Sequence, residues 1–202
     1  HEDHSGNAHR IAKTFSITPK APKLAQAKLA SGYPTPLLQK IVWGSPRPVK
    51  TQTLADTEYL SDGTAVVPVH TPGHAKDLTC FHVPSEGYFF SGDLYIAKTI
   101  KMLRQDEDLN ELINSLRKVQ TLDFTTLFCP HGGVIENGKQ ALNLKLENIL
   151  KLCKEVQELT NKGWSVPQIV QDLLGPEDAT AKLTNGNFSK TNLIKQCALI
   201  SV

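Results

Sequence analysis

The sequence predicts an α+β protein in which short strands and helices mingle up to about residue 137 and helices alone follow. Two observations carry this. Brief runs rich in β-branched and aromatic residues, TAVVPV, LTCFHV, GYFF and FTTLFC, sit between turn-forming residues, as short strands do. From Gly138 onward the apolar residues recur at helical spacing instead. The change of pattern divides the chain into a mixed part, residues 1–137, and a helical C-terminal extension, residues 138–202.

In chain order, SGNAHRIAK predicts a short helix and FSIT a short strand. PKLAQAKLA predicts a second helix, with Pro22 in its first turn and Gly32 past its end. SGYPTPLLQKIVWGSPRPVK, with Trp43 inside it, has the Pro and Gly content of an irregular surface excursion. EYLSDGTAVVPVH reads as a hairpin turning at Asp62-Gly63, with Pro68 near the far end of its second strand. After LTCFHV and GYFFSGD comes an amphipathic helix, QDEDLNELINSLRKVQTL. Leu109, Leu112, Ile113, Leu116 and Val119 share one of its faces, and Asp106 is placed to cap it. Phe124 to Cys129 form a strand that runs into PHGG. KQALNLKLENILKLCKEVQELTNKG is a long helix ending near Gly163. SVPQIVQDLLG is a short helix with Ser165 as N-cap and Pro167 in the first turn, and SKTNLIKQCALI is a third.

Of the 202 residues, 40% are hydrophobic and 21% charged, which suits one well-cored domain with at most a small appendage. The net charge of +2 comes without a dense basic run, so nothing marks a nucleic-acid surface. No apolar run is long enough to span a bilayer. Cys80, Cys129, Cys153 and Cys197 are widely spaced and form no C-x-x-C pair. They read as buried, reduced thiols, and the expected location is the cytoplasm.

Four short motifs carry the chemistry: HEDH at 1–4, TPGH at 71–74, SGD at 91–93 and CPHGG at 129–133. The last three each place a His or Asp just beyond a predicted strand, where loops present functional groups. Imidazole and carboxylate together suit zinc, iron or manganese, whereas calcium or magnesium takes oxygen ligands. If HEDH is extended, His1 and Asp3 point the same way, and a turn after Asp3 brings His4 round to join them. Pro72-Gly73 before His74, and Gly132-Gly133 after His131, allow tight turns. Terminal histidines also arise as remnants of purification tags. Three further motifs in a consistent order decide against that here.

Other residues weigh less. His70 reads as a strand-end residue, His82 as a core histidine and His9 as a surface one. Asp77 either holds a ligand imidazole or, more plainly, caps a turn. Tyr95, Lys98, Lys101 and Arg104 either grip a substrate anion or, more plainly, form a solvated loop face. There is no G-x-S-x-G, and no Cys stands beside these histidines, so no covalent nucleophile is indicated.

The motif set resembles the metallo-β-lactamase superfamily, most closely its glyoxalase-II-like hydrolases. Their pattern is H-x-H-x-D-H, a His after T-P-G, an Asp in S/T-G-D, and a late His often followed by Gly. The resemblance covers residues 1 to about 135 and implies an αββα sandwich, truncated here at its N-terminus. The family's first His falls two positions before His1, and most of one sheet precedes that. A missing N-terminal segment, or a separate chain, is therefore expected to carry that ligand.

The resemblance implies two divalent ions, zinc foremost, with iron or manganese next. His1 and His74 belong to one, Asp3, His4 and His131 to the other, and Asp93 bridges them. It implies a metal-bridging hydroxide as nucleophile, with Asp3 as the catalytic residue that holds and orients it. The expected reaction is hydrolysis of a thioester, ester or lactone of a small molecule. A phosphodiesterase acting on nucleic acid is the alternative among hydrolases, disfavoured by the charge and the lack of a basic aromatic platform. A true β-lactamase is disfavoured by the Asp3-His4 pair. Among oxidoreductases, a mononuclear-iron persulfide dioxygenase is the alternative. A flavin-partnered di-iron protein usually has Glu where this chain has His1. The extension is similar to a winged-helix-like appendage of some family members and is expected to pack on the core or to build a homodimer. With only Lys190 and Lys195 as cations on its last helix, neither nucleic acid nor membrane is an expected partner.

Overall fold

A computed structural model describes residues 1–32, 40–41 and 44–201. The central part of the Pro- and Gly-rich excursion, Trp43 included, lies outside the described residues. The chain forms two compact units, His1–Glu58 and Tyr59–Val202.

The first unit contains α1 (Glu2–Ser5), α2 (Ala8–Phe15), β1 (Lys20–Ala21), α3 (Lys23–Ser31) and β2 (Gln52–Thr53). HEDH is helical here, not extended. The amides of His4 and Ser5 donate to the His1 carbonyl at 3.2 and 3.0 Å. The Ser5 hydroxyl donates to the same oxygen at 3.0 Å, and this local bonding favours the turn. FSIT is not a strand either. Helix α2 runs through Phe15 and closes at Ser16, whose left-handed backbone (φ 52°) lets the Ile17 amide donate back to the Ala12 carbonyl at 3.0 Å. The strand comes later, at Lys20–Ala21, paired in parallel with β2. Helix α3 stops at Gly32, as predicted, but Pro22 is its N-cap and not a residue of its first turn.

The second unit is built on a six-stranded sheet. Its strands are β3 (Glu58–Tyr59, which begins on the last residue of the first unit), β4 (Ala65–His70), β5 (Thr79–Val83), β6 (Tyr88–Phe90), β8 (Thr126–Cys129) and β9 (Gly133–Ile135). They lie side by side in the order β3-β4-β5-β6-β8-β9. A separate antiparallel pair joins β7 (Leu103–Arg104) to β10 (Phe188–Ser189). Strand β4 pairs antiparallel with β5, β5 antiparallel with β6, and β6 parallel with β8. Strands β4, β6 and β8 therefore run the same way and end at the same edge of the sheet. TPGH, SGD and PHGG follow those three ends.

A parallel neighbour demands a crossover. It is supplied by α4 (Leu109–Val119), whose predicted apolar face is buried at all five positions. The cap differs from expectation: Asp108, not Asp106, accepts the Glu111 amide at 3.0 Å. Asp106 is drawn instead into a two-pronged pair with Arg104, at 2.9 and 3.0 Å.

The C-terminal helices are α5 (Gly138–Asn161), α6 (Val166–Leu174), α7 (Ala179–Leu183) and α8 (Lys190–Cys197). Ser165 and Ser189 start α6 and α8. Leu142, Ile149 and Val156 of α5, Ile169 of α6 and Leu193 of α8 join Phe89, Leu116 and Leu127 in one buried cluster. The change of sequence pattern near residue 138 is thus not a seam in the core. All four cysteines are buried and free. His82 is buried, with Nε2 2.8 Å from the Asp123 carbonyl, whereas His70 sits exposed at its strand end. His9 is half-buried, with Nδ1 2.8 Å from the Pro48 carbonyl. Among the described residues no helix is long and apolar enough to cross a membrane.

Helix α5 begins hard against β8. A Cβ on Gly138 would lie 2.4 Å from the Leu127 Cβ and 2.7 Å from its amide nitrogen. Gly138→Ala is expected to destabilise the protein by about 1–3 kcal/mol. The check is a lower urea midpoint at unchanged slope.

Candidate metal centre

Each of the three loops at the shared sheet edge is held by its own local bonding. In the first, Gly73 adopts φ +135°, and a Cβ there would meet the Leu112 backbone at 2.5 Å. Only glycine lets this loop seat so closely on α4. Ser115 of α4 donates to the Pro72 carbonyl at 2.7 Å, and the Asp108 amide donates to the Gly73 carbonyl at 2.8 Å. In the second, the Ser91 amide donates to the Phe128 carbonyl at 3.0 Å, and a single 3-10 turn, Gly92–Leu94, carries Asp93. In the third, the Gly132 amide reaches the Cys129 sulfur at 3.1 Å, curling the chain around His131.

The three loops bring His74, Asp93 and His131 together. Asp93 is only 5% exposed, and each of its oxygens faces a different imidazole. Oδ2 lies 3.1 Å from Nε2 of His74, and Oδ1 lies 2.9 Å from Nε2 of His131. On its far side, Nδ1 of His74 lies 3.4 Å from Oε1 of Glu107. Burial alone would push the His74 pKa down; Asp93 and Glu107 more than reverse this and hold it at about 9.

Glu107 is the functional residue that sequence reasoning missed. The carboxylate facing His74 Nδ1 is this one and not Asp77. It stands in the acidic run QDEDLNEL, where a helix cap was the natural reading, and no spacing links it to His74. Of Tyr95, Lys98, Lys101 and Arg104, only Lys101 lines the cavity beside the centre. Arg104 is committed to Asp106 and lies over the Phe188 ring at 5.4 Å. The cavity has a volume of about 220 Å³; His74 and Asp93 line it, together with Ile96, Ile100, Leu112 and Lys145.

The remaining predicted ligands, His1, Asp3 and His4, all lie at or on α1 in the first unit. There the Asp3 carboxylate and His4 Nε2 are 3.6 Å apart.

The donors in the second unit suit a divalent cation. Two imidazole nitrogens converge on one buried carboxylate, an N/O set that zinc, iron and manganese accept. A ligand histidine whose other ring nitrogen faces a carboxylate is the usual support for such a site. In this unit His74, Asp93 and His131 are the candidate ligands, with the two imidazoles at different oxygens of Asp93.

The comparisons agree with this reading of the fold. The metallo-beta-lactamase superfamily pattern matches residues 1–131, and the chain belongs to that superfamily. It is 32% identical over 148 residues to an atrochrysone carboxyl ACP thioesterase of Aspergillus fumigatus, covering 73% of this chain and 40% of that protein. It is 36% identical over 92 residues to a beta-lactamase-like protein 2 homolog of Drosophila melanogaster, covering 45% of this chain and 30% of the relative. The chain thus spans less than half the length of these relatives. A metallo-beta-lactamase family protein from Thermus thermophilus shares its fold with a TM-score of 0.63 at 16% identity, over 98% of this chain and 68% of that one.

Glu107→Gln is expected to weaken zinc binding about 10–100-fold, read by competition with a chromophoric chelator. A second expectation concerns protein stripped of metal. The His74 pKa is raised from 6.5 to about 9, so its contribution to stability is complete below pH 6.5 and disappears as pH rises to about 9. Urea unfolding across that window should show falling stability, with a shallower fall in Glu107→Gln.

Proposed function

We propose that this chain is the catalytic part of a binuclear metal-dependent hydrolase acting on a thioester, ester or lactone of a small molecule, with thioesters first. The observation that carries this reading is the buried Asp93 carboxylate, with one imidazole at each of its oxygens. By the motif pattern, His1, Asp3 and His4 join His74, Asp93 and His131 as six of the family's ligands, the pattern's first His not being among them. The superfamily match supports this, because it spans residues 1–131 and so takes in all six of these residues. Two zinc ions are the expected occupants. When bound, such ions activate water and offset the negative charge that develops during acyl transfer.

The chain's own residues do the rest. Asp93 holds His74 and His131 in fixed relation, and Glu107 fixes the ring and tautomer of His74. Asp3 accepts a proton from the attacking water and orients it. Ile100 and Leu112 give the cavity an apolar inner wall for the acyl group, with Ile96 at its exposed side. Water adds across the C–S bond, giving a carboxylic acid and a thiol. The thioesterase named among the relatives supports placing thioesters first; on the motif pattern we place the chain in the glyoxalase-II-like branch. Four buried, free thiols suit a reducing compartment, and we place the protein in the cytoplasm. Its partner is a small-molecule substrate, with the C-terminal helices as the homodimer surface.

The test combines metal analysis with a substrate panel. Thioester hydrolysis is expected at about two zinc ions per chain. It should disappear on chelation, return with zinc, and be absent in Asp93→Ala. Turnover of a phosphodiester alone, or one iron per chain with persulfide oxidation, would overturn the proposal.

A further inference from the structure

The inner wall of the cavity beside His74 and Asp93 holds a charged group that neither the sequence pattern nor the metal centre explains. Lys145, on α5, is only 3% exposed yet lines this cavity. An ammonium offers three donors. Among the described residues, Nζ of Lys145 has one hydrogen-bond acceptor, the Leu94 carbonyl at 2.8 Å, and otherwise faces the Tyr95 ring at 5.9 Å. No carboxylate among the described residues lies within ion-pair distance of it. The nearest acids are committed elsewhere: Asp93 to both histidines, and Glu107 to His74. Burial pushes the lysine down to about 8, while Glu107 and Asp93 oppose that shift from a distance. A buried cation so sparsely bonded is unfavourable unless a ligand supplies the missing acceptors.

Most of the remaining wall is apolar, with Ile96, Ile100, Leu112 and Phe188 in it; Thr99 and Glu107 are its polar members, and Glu107 is turned to His74. Lys101 adds a second, exposed cation. Apolar walls with a single buried ammonium describe an aliphatic chain carrying an anionic oxygen group. Resting on the hydrolase reading above, we propose that the cavity is the acyl subsite and that Lys145 recognises a carboxylate on the acyl chain. The favoured substrates are then ω-carboxyacyl thioesters rather than simple fatty ones. The rival role for Lys145 is purely positional. By holding the Leu94 carbonyl it steadies the turn that carries Asp93, and a residue acting only in that way would affect all ligands alike.

Calorimetric titration of the zinc-loaded protein with adipate and with hexanoate separates these roles without requiring turnover. Wild type is expected to bind adipate at least about tenfold tighter than hexanoate, the size of one charge-assisted hydrogen bond. In Lys145→Met, which is one atom shorter, stays unbranched and removes the charge, that preference should vanish. Thermal melting confirms that the variant folds. Equal binding of the two acids by wild type, or a preference that survives in Lys145→Met, overturns the proposal. So does a parallel loss of both ligands, which assigns Lys145 the positional role. Adipoyl and hexanoyl thioesters of N-acetylcysteamine complete the test. If neither is hydrolysed while the adipate preference depends on Lys145, the hydrolase reading fails and the recognition site stands.

Discussion

A carboxylate taken almost wholly out of water must be matched by positive charge or by several donors, or it will not stay ionised. Asp93 meets this demand with two imidazoles, one at each oxygen. The rest of the second unit can be understood as the means of keeping those three groups in register. His74 would lose its charge through burial if it stood alone; Asp93 and Glu107 together keep it cationic. The same balance explains why the centre attracts cations. Imidazole nitrogens and carboxylate oxygens held this closely have as their alternatives a shared proton or a shared metal, and the geometry serves both.

Precision comes from the sheet. Strands β4, β6 and β8 point the same way because two antiparallel steps and one parallel step separate them. Their ends therefore deliver three motif loops to one edge. The parallel step needs a crossover, and the helix that provides it, α4, also serves as the floor of the first loop. Gly73 exists to let that floor approach, and Ser115 and Asp108 tie the loop down once it is there. Glu107 arrives beside His74 because it immediately precedes the Asp108 cap of the same helix. A single element thus closes the topology, seats one ligand loop and supplies the carboxylate behind the ligand.

The C-terminal helices enter the same scheme. Leu142, Ile149 and Val156 of α5 share their core with the strands, so the helical extension is part of the wall around the centre. That placement turns Lys145, four residues before an ordinary core position, into a lining residue of the cavity. A charged side chain at a buried helical site is costly wherever it lacks a functional or structural partner. The Leu94 carbonyl offsets part of that cost and leaves the remaining donors facing a small, mostly apolar space.

By itself, the amino-acid order was enough for whatever depends on near neighbours. The apolar stripe Leu109, Leu112, Ile113, Leu116 and Val119 is legible from helical periodicity, and the cap at Ser165 from its place just before Pro167. The strands Thr79–Val83 and Thr126–Cys129 follow from runs of β-forming residues between turns. His74, Asp93 and His131 stood out because each follows such a run within a short motif. Where local signals competed, the reading failed. The hydroxyl of Ser5 and the amides after His1 favour a helical turn over the extended HEDH. A left-handed Ser16 ends α2 where a strand was expected. Asp108 takes the cap that Asp106 could equally have claimed, because Arg104 binds Asp106 first. Only the tertiary structure set Glu107 against His74 and Lys145 against the cavity. Neither contact has a period or a spacing, since each arises from how far a crossover helix travels and how tightly another helix packs on its strand. Those distances are decided by side-chain volume at places such as Gly73 and Gly138, where the lack of a single carbon lets two elements meet.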